Sequence, residues 1–202
     1  MSLSEFALGL KRRNGRPGPP DLPHLILMTD GERMKDPLAH AARLPRGAAV
    51  CLRHYDDPGR SQLARDLMGL CREKGLKLFI GGDVGLAQAV GAHGLHLPEG
   101  LARQGSGAAR GWLQKPGRIL SAAAHSPAAL FMAARIGAHG AILGSVFPTP
   151  SHPGGPVIGP GRFAAWCRAS PLPVWGLGGI NETTAQRLGP SGAIGIAGIG
   201  GI

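Results

Sequence analysis

The chain has 202 residues, 43% of them hydrophobic, enough to bury one substantial core and within the range of a single α/β barrel or doubly wound domain. Its formal charge of +10 invites nucleic acid as a partner, but outside an N-terminal arm (Lys11, Arg12, Arg13, Arg16) the basic residues are scattered and lack an interleaved aromatic platform, so attraction of anionic small molecules is the more economical use. Three well-separated cysteines without metal-ligand spacing read as reduced thiols of a cytoplasmic protein, and no apolar run has the length of a signal-peptide core or a membrane span.

In chain order, Ser2 to Arg12 reads as a short amphipathic helix with Leu3, Phe6, Ala7 and Leu10 on one side. A basic linker rich in proline and glycine completes residues 1–20, and residues 21–202 read as one domain. Strands are expected at His24–Thr29 and Ala48–Arg53, with a helix from Asp36-Pro37 to Arg43 between them. Pro58 to Lys74 carries Leu63, Leu67, Leu70 and Cys71 at helical spacing and stops at Gly75. A strand at Leu76–Ile80, a turn at Gly81-Gly82, a helix over Asp83–Val90 and a strand at Gly94–Leu97 follow; Pro98 to Gly117 has poor helical patterning. The fifth strand spans Arg118–Ala122, its helix Ser126–Ile136, and the sixth strand Gly140–Leu143. After a long loop come a helix at Gly161–Arg168, a strand at Pro173–Gly176, a helix at Asn181–Leu188 and a last strand at Ala193–Ala197.

Eight strand-then-helix units of roughly 20 to 25 residues fit a small (β/α)₈ TIM barrel. Only Gly198 to Ile202 remain after the last strand, so the eighth helix is missing or truncated, and either a partner subunit in a homo-oligomer or the N-terminal helix would cover that side. An open doubly wound sheet is the other α/β solution, but no Gly-x-Gly-x-x-Gly turn follows an early strand to support a dinucleotide site.

Two stretches stand out as sites. The loop Ser145 to Pro156 is stiffened by four prolines and leaves the carboxyl end of a buried strand, where α/β folds place their chemistry, although it also reads as a plain crossover. Glycine-rich turns follow the last two strands, Gly176 to Asn181 and Gly198 to Gly201, where backbone amides can approach an anion and the helix starting at Asn181 would aim its positive end at the same point. Tight turns alone would use the same residues. The amides of Gly179, Ile199 and Gly200 are expected to meet at a phosphate. His54, His96, His125 and His152 sit at strand ends or in the long loop without the tight spacing of a zinc motif.

Taken in order, GAHGLHLPEG, SAAAHSPAAL, GAHGAILGSVFPTPSHPG, PVWGLGGIN and GAIGIAGIGGI resemble thiamine phosphate synthase and its TenI relatives, over nearly everything from His24 to Ile202. The resemblance implies a (β/α)₈ barrel with a thiazole-phosphate site carried by Thr149, Gly178, Gly179, Ile199 and Gly200, and places Arg53 where that family has the arginine of a Gln-Leu-Arg-x-Lys strand. His152 stands where the synthases present a lysine to the pyrophosphate of a pyrimidine substrate. Cys51 and Tyr55 replace the glutamine and lysine of that strand.

The synthases hold a magnesium ion on two aspartates, and here Gly81-Gly82 stands in place of the family's Asn-Asp, with Pro98-Glu99-Gly100 just beyond the fourth strand. No metal ligand is therefore assigned, and magnesium is expected only with the synthase reaction; Asp83 and Glu99 are the nearest substitutes. TenI relatives with thiazole tautomerase activity work by metal-free proton transfer, and the resemblance puts their histidine at His125, a residue type whose ordinary pKa suits that task. A helix-start role ahead of Ser126-Pro127 is the other reading of His125. The expectation is thus a phosphate-binding barrel of thiamine biosynthesis acting on a thiazole phosphate, TenI-like proton transfer being favoured. Its alternatives are the synthase coupling and a non-catalytic phosphate-ligand binder.

Overall fold

Each strand is a run of four to six residues that are almost all buried, the pattern of a sheet covered on both faces. The computed structural model describes residues 1–15, 20–105, 107–149, 154–199 and 202. In it β1 (Leu25–Met28), β2 (Ala49–Leu52), β3 (Lys77–Gly81), β4 (Gly94–Leu97), β5 (Ile119–Ala124), β6 (Gly140–Gly144), β7 (Val174–Leu177) and β8 (Gly195–Gly198) run parallel and close into a barrel in sequence order. The helices are α1 (Leu3–Asn14), α2 (Pro37–Ala42), α3 (Arg60–Lys74), α4 (Val84–Ala89), α5 (Glu99–Arg103), α6 (Gly107–Leu113), α7 (Pro127–Arg135), α8 (Pro160–Ala169) and α9 (Glu182–Ala185). The fold is the expected (β/α)₈ barrel.

Alternation along the strands divides the core in two. Ile26, Met28, Ala49, Cys51, Phe79, Ile119, Ile142, Trp175, Ile194 and Ala197 form a cluster inside the barrel, while the intervening strand residues join the helices in an outer layer. Two large rings fill the interior against glycines: a Cβ on Gly94 would lie 2.3 Å from Cδ1 of Phe79, and one on Gly140 would lie 2.4 Å from Cζ3 of Trp175. Glycine at these two strand positions is a packing requirement, and it explains how a chain with 4% aromatic residues fills a barrel.

Two regions depart from the sequence-based expectation or complete it. Pro98 to Gly117 contains two short helices, α5 and α6, whose lengths of five and seven residues are too small to print a periodic pattern. Trp112 of α6 is fully buried and donates Nε1–H to the Ile119 carbonyl at 2.8 Å, which pins the segment to β5. Beside the first and last strands, α1 packs against β8, β1 and α9 through buried Leu3, Phe6, Ala7 and Leu10. Ser2 and Glu5 close a capping box at its start, and the Asn14 side-chain amide donates to the Ala193 carbonyl at 2.8 Å at its end. The N-terminal helix packs on that face within the chain itself. Among the described residues no helix is long and apolar enough to cross a membrane, and Cys51, Cys71 and Cys167 are buried and unpaired.

Candidate active site at the carboxyl mouth of the barrel

The strands of a (β/α)₈ barrel aim their carboxyl ends at one mouth, and here that mouth holds a cavity of about 480 Å³. Arg53 after β2, His125 after β5, Thr149 after β6, Gly178 and Gly179 after β7 and Ile199 after β8 all line it. Six of the eight residues singled out from sequence thus converge on one pocket; the other two, His152 and Gly200, lie outside the described residues. His96, Tyr55, Arg33 and Glu99 line the same cavity and were not assigned binding or catalytic roles from sequence.

One half of the mouth is built from backbone. Gly178 and Gly179 have φ of +99° and +62°, a region closed to most side chains, and a Cβ on Gly179 would lie 2.3 Å from the Pro148 carbonyl oxygen. The loop after β6 is laid along this turn, with the Val146 and Phe147 amides donating to the Leu177 and Gly178 carbonyls at 2.9 and 3.0 Å. Among the described residues no acceptor takes the amides of Gly178, Gly179, Ile180 or Ile199. The contribution expected from the next helix differs. Helix α9 has only four residues, and the Asn181 side-chain oxygen already accepts from the Thr183 and Thr184 amides at 3.0 and 2.9 Å. An Asn N-cap satisfies those donors itself, so an anion here would meet the turn amides and not the helix end.

The opposite half is built from side chains. β5 runs to Ala124, two residues beyond the expected end, so His125 leaves the strand directly into the N-cap Ser126 of α7. Its Nδ1 lies 2.7 Å from Glu99 Oε2, which also accepts the His125 backbone amide at 3.0 Å, and the imidazole is 65% exposed at the cavity rim. Burial works against the charge of Glu99, but hydrogen bonds from Arg103 and His125 outweigh it and hold the carboxyl below its ordinary range. A carboxylate on Nδ1 favours the tautomer with its proton there and leaves Nε2 free to exchange a proton with a ligand.

His96 is a second imidazole of opposite character. It is almost completely buried, its Nδ1 lies 3.0 Å from Ser121 Oγ, and burial, assisted by the Arg53 charge, pushes its pKa down to about 4. It is therefore neutral at physiological pH, suited to hydrogen bonding and not to carrying charge. His54, by contrast, bonds Thr29 Oγ1 at 2.9 Å and is absent from the cavity lining. Arg53 is held from β1: Nε donates to the Thr29 carbonyl at 2.8 Å and Nη2 to Asp30 Oδ2 at 3.1 Å. Asp30 also pairs with Arg33, whose hydrogen bond is the main reason its pKa falls to about 2.

The magnesium implied by the resemblance meets a donor set that does not fit it. A Cβ on Gly81 would lie 2.9 Å from the Tyr55 hydroxyl, and one on Gly82, whose φ is +70°, would lie 3.4 Å from Cε1 of the same ring. The place where a ligating side chain would leave β3 is thus filled by a phenol. Asp83 caps α4 through the Leu86 amide at 2.8 Å and faces Arg60 at 3.5 Å, and Glu99 is committed to His125 and Arg103. A hard dication needs several oxygen ligands turned toward one point, and these carboxylates are turned elsewhere.

With this geometry, residues 25–202 match the family model described as thiamine monophosphate synthase. The chain is 34% identical to the thiamine-phosphate synthase of Roseiflexus castenholzii over 175 residues, covering 83% of this chain and 73% of that one. It is also 34% identical to the thiamine-phosphate synthase of Chlorobium luteolum over 188 residues, covering 88% and 84%. Among solved structures it is similar to the thiamine phosphate pyrophosphorylase of Pyrococcus furiosus, with a TM-score of 0.72, 27% identity and coverage of 89% and 86%. The chain belongs to the thiamine monophosphate synthase family.

Proposed function

We propose that this chain is a cytoplasmic transferase of thiamine biosynthesis that binds a thiazole phosphate through the glycine turns after β7 and β8 and couples it to a pyrimidine diphosphate. The observation that carries the binding half is the set of four turn amides that have no protein acceptor among the described residues, at one wall of the cavity, an anion cradle that needs no particular side chain. The name shared by the similar proteins supports coupling over the proton transfer that the sequence alone favours. In this reading Thr149, Gly178, Gly179 and Ile199, with Gly200, hold the thiazole phosphate, Arg53 and His152 serve the diphosphate, and neutral His96 hydrogen-bonds the ring between them.

Proton transfer on the thiazole is a second reading of the same pocket, favoured by one observation: His125 is the only imidazole in the lining that is both exposed to the cavity and held by a carboxylate, among the described residues. Purified protein given the thiazole carboxylate phosphate tautomer, beside the thiazole phosphate with the pyrimidine diphosphate, separates the two. Formation of thiamine phosphate supports coupling, and aromatisation of the tautomer without coupling supports proton transfer. Binding of thiazole phosphate without turnover in either assay would reduce the chain to a phosphate-ligand binder, and no binding would overturn the reading.

A further inference from the structure

The carboxyl end of β3 is the place where this chain departs furthest from the cation site of its family. Gly81 and Gly82 offer no side chain there, and the Tyr55 ring lies over both. Arg60 stacks on that ring with its guanidinium carbon 5.4 Å from the centroid, and donates through Nη2 to the Gly81 carbonyl. Its side chain is only 12% exposed, its Nε is buried without a hydrogen-bond partner among the described residues, and it faces the Asp83 carboxylate at 3.5 Å. Where a dication site needs negative charge, this corner carries a buried positive one.

The Tyr55 hydroxyl has the properties of a ligand-facing donor. Tyr55 lines the cavity with Arg53, is 48% exposed, and has no hydrogen-bond partner among the described residues. Burial raises its pKa to about 12, so the phenol keeps its proton throughout the physiological range. A protonated phenol donates to an oxyanion and cannot serve as the anionic ligand of a hard cation.

We propose that Tyr55 takes the place of the bridging cation, so that the β2–β4 side of the pocket binds a diphosphate directly on the Tyr55 hydroxyl and the Arg53 guanidinium, without a divalent metal. This rests on the reading of the pocket as a site for phosphorylated ligands and names the group that makes its second anion subsite. The two guanidiniums supply the charge, and the phenol supplies the geometry of one short hydrogen bond to a phosphoryl oxygen.

The test is calorimetric titration with inorganic pyrophosphate, in EDTA and again with excess magnesium, with thiazole phosphate already saturating the glycine cradle. The expected result is the same affinity in both buffers and a loss of roughly tenfold in Tyr55→Phe, the size of one hydrogen bond to a charged group. Tyr55→Phe should leave the thiazole phosphate affinity unchanged, which a general loss of fold would not. Binding that requires magnesium, binding that ignores Tyr55→Phe, or no pyrophosphate binding overturns the inference while the thiazole phosphate titration still stands. If pyrophosphate binds metal-free through Tyr55 but thiazole phosphate does not bind at all, the inference survives and the thiazole reading fails.

Discussion

The two halves of the barrel mouth are made of different material. Between β6 and β8 the surface is backbone, shaped by glycines with positive φ and by the close approach of the Pro148 carbonyl. Between β2 and β5 it is side chain: Arg53, Tyr55, His96, Glu99 and His125. A backbone cradle keeps its chemistry as long as the glycines remain, because the donors are the same in every residue. A side-chain subsite changes its chemistry with a single substitution. The family pattern is accordingly legible in the glycine turns, whereas Gly81-Gly82, a phenol and a guanidinium stand where the resemblance implies carboxylates.

The sharpest way to break this contrast is at His125. Proton transfer by one positioned side chain contributes about 10²–10⁴-fold in rate, so His125→Asn should lower tautomerisation by that order if this is the reaction, and leave thiazole phosphate affinity within about twofold. A variant with full activity assigns His125 to the helix start ahead of Ser126 and directs attention to His96, the other imidazole lining the cavity among the described residues.

The backbone half is probed next. Gly179→Ala places a methyl against the Pro148 carbonyl and in the left-handed region, which costs about 1–2 kcal/mol for the conformation alone. Displacement of the turn should weaken thiazole phosphate binding roughly ten- to a hundredfold in an equilibrium titration, with little effect on pyrophosphate at the other subsite. Loss of both affinities together would show that the halves are one unit.

A smaller effect is expected at Glu99, which lines the cavity and holds His125 Nδ1 at 2.7 Å. Glu99→Gln keeps the side-chain shape but removes the charge-assisted bond to Nδ1, so the rate should fall roughly tenfold in a tautomerisation assay. An unchanged rate would make Glu99 a loop anchor only.

Stability should respond to acid in two windows. Burial lowers the pKa of His24, His54, His93, His96 and His139 from the ordinary 6.5, to about 4 for His96. The unfolded chain then binds more protons than the folded one, so stability is fully present above about pH 6.5 and declines as pH falls toward the folded values. Asp30, held at about 2 chiefly by Arg33, adds a second decline below its ordinary 3.8. A urea midpoint that stays constant from pH 7 to 5 would contradict the first window.

The strand order, the eight repeating units and the glycine turns were all open to reading from residues, because each rests on local patterns: buried runs of β-formers, helical spacing, and glycine where φ turns positive. Helices α5 and α6 were not, since two turns or fewer leave no period to count and Trp112 is held by a contact with β5. The role of α1 needed the closed barrel, because only closure brings residues 3–14 beside β8 at the far end of the chain. Within the site, the positions of Arg53, His125, Thr149, Gly178, Gly179 and Ile199 followed from strand ends and from the family pattern. What local sequence did not contain was partnership. Glu99 and His125 are 26 residues apart and meet only because β4 and β5 are neighbours, and Tyr55 reaches over Gly81 only because β2 and β3 are. The sequence therefore determined which residues stand at the mouth. Tertiary structure alone decided which of them face one another, since hydrogen bonds and charge act across space and not along the chain.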